Sequence, residues 1–317
     1  MLIANIVFGF HSEKHPLSQF NIFYILFNRS QEHPDIYSAL TDFTLVDASP
    51  SLGSLQRNVV SLSSADHSSK VKYIQHNLGD DMDCLSFLSH SLSNSGSIQT
   101  FALAFELLDN LPHDKVMRDS DGTLLQGEVF ESETDGVISD ERIEQMEKFA
   151  PLLDPLLQNI VNNVPAYVPR RGAKWVPSVA CHLIQQLYEQ NPDSYLLLAD
   201  FDWLPPPSNF KDDDDAVKIR SSDAEGDPLV TSMDGVDYEC YLSAPPYCDI
   251  LFPTNFRLLA QFTESCCGHG LNVQVKKQRD FMIEFGGGEI QRTSSFLGGY
   301  SPLVDEFGNC SILTVTR

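Results

Sequence analysis

Carboxylates recur in this 317-residue chain directly after short apolar runs. Asp47 closes Phe43-Thr44-Leu45-Val46. His76, Asn77, Asp80 and Asp81 follow Val71-Lys72-Tyr73-Ile74. Glu106, Asp109 and His113 follow Phe101–Phe105, and Asp200 and Asp202 follow Tyr195–Ala199. In an open α/β sheet, ligands bind beyond the carboxyl ends of the strands. An acidic residue there can accept both hydrogen bonds of a ribose diol. Asp47 is the sharpest case, and it fits equally well as a carboxylate placed at a helix N-terminus by the helix dipole. Glu106 and Asp109 are three apart and share a face if they lie on a helical turn, which Pro112 would limit. Two carboxylates and a histidine at a strand exit can orient a basic substrate or move a proton. The commoner fate of such residues is a capping and salt-bridge cluster.

The elements that would hold these residues alternate. The runs at 43–46, 71–74, 101–105 and 195–199 have strand character, and the third is continuously apolar, as a buried parallel strand is. Leu52, Leu55, Val59 and Val60 have roughly helical spacing, with Ser49 or Ser51 as a cap. Val179, Leu183 and Leu187 mark an amphipathic helix over 178–190. A helix-like stretch runs to Cys266, followed by strands at 271–275 and 311–315. This alternation predicts an α/β fold with a mostly parallel sheet. Residues 1–40 are expected to be a helix followed by a loop. Segments 117–146 and 207–238, rich in Asp, Glu, Ser and Gly, are expected as acidic surface insertions. The run Asp212–Asp215 reads as a solvated loop, and Asp119-Ser120-Asp121-Gly122 lacks full calcium-loop spacing. Gly286-Gly287-Gly288 reads as a turn.

Composition sets the class. Lys and Arg number 21 against 44 Asp and Glu, a formal charge of −23. Phosphate contacts need the opposite balance, so nucleic-acid binding is not expected, nor is binding to an anionic membrane surface. No apolar stretch reaches the ~18 residues of a spanning helix. The seven cysteines are irregularly spaced without a CxxC pair, which argues for free thiols rather than a zinc ribbon. No GxSxG, P-loop, HExxH or complete GxGxxG occurs. A nicotinamide dehydrogenase would share the sheet and the acidic strand end, but lacks its fingerprint here.

The stretch FALAFELLDNLPHDKV (101–116) resembles the signature after the fourth strand of the MidA-like family of S-adenosylmethionine-dependent methyltransferases. This family includes a mitochondrial complex I assembly factor that dimethylates a protein arginine. The segments TLVDASPSLGSLQ (44–56), LDPLLQNIV (153–161), KWVPSVACHLIQQL (174–187), LLLADFDWLP (196–205), DILFPTNFRLL (249–259), RDFMIEFG (279–286) and YSPLVDEFGNCSIL (300–313) continue the likeness in order. The resemblance implies a class I methyltransferase, Rossmann-like sheet with helices on both faces and a helical insertion between its fourth and fifth strands. It implies a methyltransferase domain over 41–317, preceded by a helical remnant over 1–40. S-adenosyl-L-methionine would be the cofactor, with Asp47 on its ribose and Asp80 or Asp81 near the adenine. Glu106 and Asp109 would line the methyl-transfer site, Glu106 aligning a guanidinium. The partner would be a protein substrate such as a complex I subunit, and the location mitochondrial, although the chain carries no transit peptide.

The family's first strand and its loop of the form E-x-G-x-G-x-G-T are not recognisable before residue 40. Gly9 is the only glycine before Gly53. The expectation is a chain truncated at its N-terminus, with the central strand missing from the sheet. Two readings follow: an active methyltransferase, or a catalytically inactive homologue acting as an assembly or scaffold protein.

Overall fold

The computed structural model describes residues 2–9, 38, 40–63, 69–77, 98–131, 145–169, 172–205, 226–232, 234–238, 240–245, 247–268, 270–295 and 299–317. The strands are β1 (Leu2–Gly9), β2 (Leu40–Asp47), β3 (Val71–Gln75), β4 (Ile98–Phe105), β5 (Asp114–Arg118), β6 (Leu124–Glu131), β7 (Gln145–Pro151), β8 (Ala173–Val176), β9 (Tyr195–Phe201), β10 (Leu229–Thr231), β11 (Asp237–Tyr238), β12 (Asp249–Leu251), β13 (Asn272–Lys277) and β14 (Cys310–Thr316). The helices used below are α1 (Pro50–Ser63), α2 (Pro155–Asn163), α3 (Ser178–Gln190) and α4 (Phe256–Cys266).

Seven strands form one sheet in the order β13-β14-β9-β4-β1-β2-β3. Strands β3, β2, β1, β4 and β9 are mutually parallel, and β14 runs against both its neighbours. This is the Rossmann-like α/β architecture expected from the alternation of strand and helix runs. The chain order reverses between β1 and β4, so the crevice at their carboxyl ends is the place for a ligand.

The central strand is present, which corrects the expected gap. Leu2–Gly9 pairs with β2 on one side and β4 on the other, and is a strand where a helix was expected. The physical reason lies in LIANIVFG itself: eight residues, rich in Ile and Val, without helical periodicity. A strand flanked on both sides in a parallel sheet reads as such a continuous apolar run.

The two faces of the sheet separate by the two-residue side-chain period. Ala102 and Ala104 of β4 and Leu196 and Leu198 of β9 are buried against Leu183, Ile184 and Leu187 of α3 and Leu258, Leu259 and Phe262 of α4. Phe43 and Leu45 of β2 form a second cluster with Phe101 and Leu103. Burying each large apolar side chain contributes roughly 1.5–3 kcal/mol. Helix ends are capped by side chains: Asp154 Oδ1 accepts from Leu157 N at 2.9 Å and Asn255 Oδ1 from Leu258 N at 2.9 Å.

The insertion between β4 and β9 differs from expectation. Besides α2 it contains a four-stranded antiparallel sheet, β7-β6-β5-β8. The described parts of 117–146 therefore belong to strands and the tight turn of a hairpin rather than to a long acidic loop. Asp121-Gly122 is the turn of the β5–β6 hairpin, with Gly122 at φ +91° and its N–H donated to Asp119 O at 3.0 Å. An Asp-Gly pair between strand-forming runs is a hairpin signal, outweighed in the sequence by the acidic composition around it. Within 207–238, β10 and β11 pair antiparallel, and β10 also pairs with β12. Asp212–Asp215 lie outside the described residues. Among the described residues no helix is long and apolar enough to cross a membrane, and no cluster of His, Cys, Asp and Glu could hold a metal. The six described cysteines are free thiols.

Candidate functional site

The strand ends place the predicted residues on either side of Gly9. Phe8 is level with Val46 of β2, and Gly9 with Phe105 of β4. Asp47 and Glu106 thus flank the end of β1, one strand to each side. At a strand spacing of ~4.8 Å their backbones stand about 10 Å apart. Asp80 and Asp81 lie outside the described residues.

Asp47 is 4% exposed. Its Oδ1 accepts from Ser49 N at 2.8 Å, and its Oδ2 receives a long contact from Gln56 Nε2 at 3.4 Å. The first bond ties the carboxylate to the entrance of α1. The two alternatives weighed for Asp47 are compatible: Oδ1 serves the turn into α1, and the same carboxylate stands at the strand end beside β1.

Glu106, Asp109 and Asp200 are brought together. Glu106 N donates to Ala199 O at 3.0 Å, extending the β4–β9 ladder one residue past the strand. Glu106 then turns the chain with φ +49°. This left-handed conformation costs a non-glycine residue about 1–2 kcal/mol. The next residues form a 3-10 turn, Leu108–Asn110, held by Asp200. Asp200 Oδ2 accepts from Leu108 N at 2.6 Å and Asp109 N at 3.1 Å, and its Oδ1 accepts from Phe201 N at 2.7 Å.

These bonds decide where the charge sits. Burial drives both Asp109 and Asp200 above the ordinary carboxylate range, and each is raised further by neighbouring carboxylates. Asp200 holds three N–H donors, which favour its ionised form. Asp109 is 3% exposed, is raised to about 9 by burial and then by the Asp200 charge, and remains protonated at neutral pH. The Asn110 side-chain amide donates to Asp109 Oδ1. Glu106, half-buried, is the carboxylate of the three with most access to a ligand.

Asp200 is the member of this cluster that sequence reasoning underweighted. Its signal was present as a carboxylate closing the apolar run of β9, but its task, organising the turn after β4, depends on partners more than 90 residues away.

A cavity of about 630 Å3 opens beside this edge, between the inserted sheet and the segment leading into α4. Neither Asp47 nor Glu106 nor Asp109 lines it, whereas His113, Trp175, Asp202 and Thr254 do. His113 stacks on Phe252 with ring centroids 4.3 Å apart. Burial lowers its pKa to about 4, so its ring is neutral at pH 7. Asp202 Oδ2 receives hydrogen bonds from Lys277 Nζ and Ser311 Oγ.

A family model described as "Putative S-adenosyl-L-methionine-dependent methyltransferase" matches residues 24–277. No curated protein matches the chain. Two solved structures from Burkholderia thailandensis share its fold. One is a native structure of an uncharacterised protein, with 11% identity and a TM-score of 0.62 over all of this chain and 74% of that one. The other is bound to S-adenosyl-homocysteine, with 12% identity and a TM-score of 0.59 over all of this chain and 72% of that one.

Proposed function

The chain belongs to the family of S-adenosyl-L-methionine-dependent methyltransferases, and on that premise we propose that it methylates an arginine of a protein substrate, with Glu106 as the residue that aligns the acceptor. S-adenosyl-L-methionine is the cofactor of this family, and when bound it supplies an electrophilic methyl group on a sulfonium. The residues present fit its ribose end: Asp47 is a buried carboxylate beside the end of β1, of the kind that accepts from a ribose diol. The structural neighbour bound to S-adenosyl-homocysteine supports a cofactor of this kind, and the switch point of an open α/β sheet is where such a fold takes its ligand.

The observation that carries the acceptor reading is the division of labour among the three carboxylates. Asp200 is committed to backbone N–H groups and Asp109 is neutral, which leaves Glu106 to supply charge. A guanidinium is planar and permanently charged, and it matches a carboxylate through two parallel hydrogen bonds. Glu106 would fix its plane and draw its charge onto the nitrogens that do not react. Asp109 acts as a positioning residue, a neutral prop that holds the turn. A complex I subunit as substrate, and a mitochondrial location, extend the same reading through the MidA-like resemblance.

One observation favours a second reading. The sequence holds no glycine between Gly9 and Gly53, so the close backbone approach that a glycine-rich loop gives a cofactor is not encoded after β1. A chain that keeps the fold and acts as an inactive assembly protein is consistent with that. Transfer of a labelled methyl group to arginine-containing peptides separates the two. Wild type is expected to label the peptides and Glu106→Gln to lose at least ~100-fold in turnover, about the range for one charged stabilising contact. Equal turnover in the variant would remove Glu106 from the proposal.

A further inference from the structure

Acidic side chains outnumber basic ones 44 to 21 in this chain. The cavity between the inserted sheet and the start of α4 inverts that ratio: Lys174, Arg257 and Lys277 line it against Asp202 alone. Asp202 is already engaged by Lys277 and Ser311. The nearby Asp227 accepts from the Trp175 indole at 3.0 Å. Lys174 and Arg257 make no ion pair among the described residues.

Each of these two cations is placed so that an anion in the cavity would complement it. Arg257 is the second residue of α4, at the positive end of the helix, and the first turn holds no acidic residue. The helix dipole opposes a cation there. Three and four positions further on stand Ala260 and Gln261, so the helix itself offers no partner. Lys174 Nζ lies 5.1 Å from the Tyr167 ring centroid. That ring is fixed through its hydroxyl, which donates to Trp175 O at 3.1 Å and accepts from Asn255 Nδ2 at 2.8 Å. Asn255 also caps α4 through its Oδ1. One network thus sets both Lys174 and the helix end that carries Arg257, and an ordered side chain loses less freedom on binding. At physiological salt the field of distant carboxylates fades over about 8 Å, so an anion in the cavity meets these cations first.

The cavity wall is joined to the strand ends. Thr254 N donates to Phe201 O at 2.8 Å, next to the Asp200 that holds the turn after Glu106. Asp202 stands two residues beyond Asp200, about 7 Å at the rise of an extended chain. A peptide whose arginine reaches Glu106 therefore brings a residue two or three positions away to the cavity.

We propose that this cavity is an oxyanion subsite, in which Arg257 and Lys174 hold an acidic side chain of the acceptor protein, a carboxylate or a phosphorylated residue, close in sequence to the arginine that Glu106 aligns. Its role rests on the methyltransferase reading; its chemistry rests on the two cations.

The test uses the full chain without cofactor. The chain has two tryptophans, Trp175 and Trp203, and both line the cavity, so their emission reports on it. The probes are three capped peptides: EEGRGEE, QQGRGQQ, and a form of the first with phosphoserine in place of each glutamate. The two anionic peptides are expected to shift the emission saturably, and the tighter of them identifies the source of the oxyanion. QQGRGQQ is expected to bind at least about tenfold more weakly, and Arg257→Gln and Lys174→Gln each to weaken the anionic peptides about tenfold. Arg257→Gln removes a cation from the positive end of a helix, so its Tm is expected to be no lower than that of wild type. No saturable shift with either anionic peptide, equal binding of QQGRGQQ, or unchanged affinity in both variants would overturn the proposal. Such a failure leaves the methyltransferase reading standing, because no S-adenosyl-L-methionine is present. Binding of EEGRGEE without methyl transfer to it upholds the subsite and counts against the arginine acceptor alone.

Discussion

Glu106 combines a left-handed backbone with an accessible carboxylate at the switch point of the sheet. A conformation that glycine would adopt freely is here filled by a glutamate at a cost of about 1–2 kcal/mol, and such strain at a strand exit points to function. Asp109, two residues into the same turn, carries a different signature. Its folded pKa, about 9, stands above the ordinary value of 3.8 because of burial and the Asp200 charge. The folded state therefore holds a proton that the unfolded chain releases. The resulting stability is full below about pH 3.8 and is lost as pH rises towards about 9. Asp109→Asn, neutral at every pH, is expected to flatten that decline, read as Tm against pH between 5 and 9. A variant curve parallel to wild type would place the proton elsewhere.

At the scale of elements, β9 and the helices over it hold the site. Leu198 is 1% exposed and shares its core with Leu183, Leu258 and Phe262. Leu198→Ala is expected to cost about 2–5 kcal/mol through lost contacts and the cavity left behind, measured by urea unfolding. A loss below ~1 kcal/mol would mean the helices repack over β9. Much of this layer was legible in the sequence. Strands β2, β3, β4, β9, β13 and β14 and helices α1, α3 and α4 each announce themselves by an apolar run or a helical stripe. Two regions were misread because one signal masked another. Residues 2–9 lacked a family motif, which outweighed their strand-like composition. The hairpin around Asp121-Gly122 was hidden by acidic residues on its exposed turn. The site was legible in part: Asp47, Glu106 and Asp109 could be picked from strand ends. The partnership of Asp200 with Leu108 N, and the convergence of Lys174 and Arg257 on one cavity, are products of packing between distant segments.

At the scale of the whole molecule, five parallel strands and an antiparallel edge place Asp47, Glu106, Asp109 and Asp200 on one rim. The net charge of −23 gives the chain as a whole a negative field, which favours a cationic acceptor in the encounter and weakens with salt. The order of strands, the family match over 24–277 and the carboxylate beside β1 all bear on one proposal: that the chain holds S-adenosyl-L-methionine through Asp47. Calorimetric titration of the full chain with S-adenosyl-L-methionine, alongside Asp47→Ala, tests this most directly. The account predicts micromolar binding by wild type, weakened at least about tenfold in a variant whose far-UV circular dichroism is unchanged, in line with the ~1.5–3 kcal/mol of hydrogen bonds to a charged group. A folded wild-type chain that releases no heat, or a variant that binds as tightly as wild type, would contradict it.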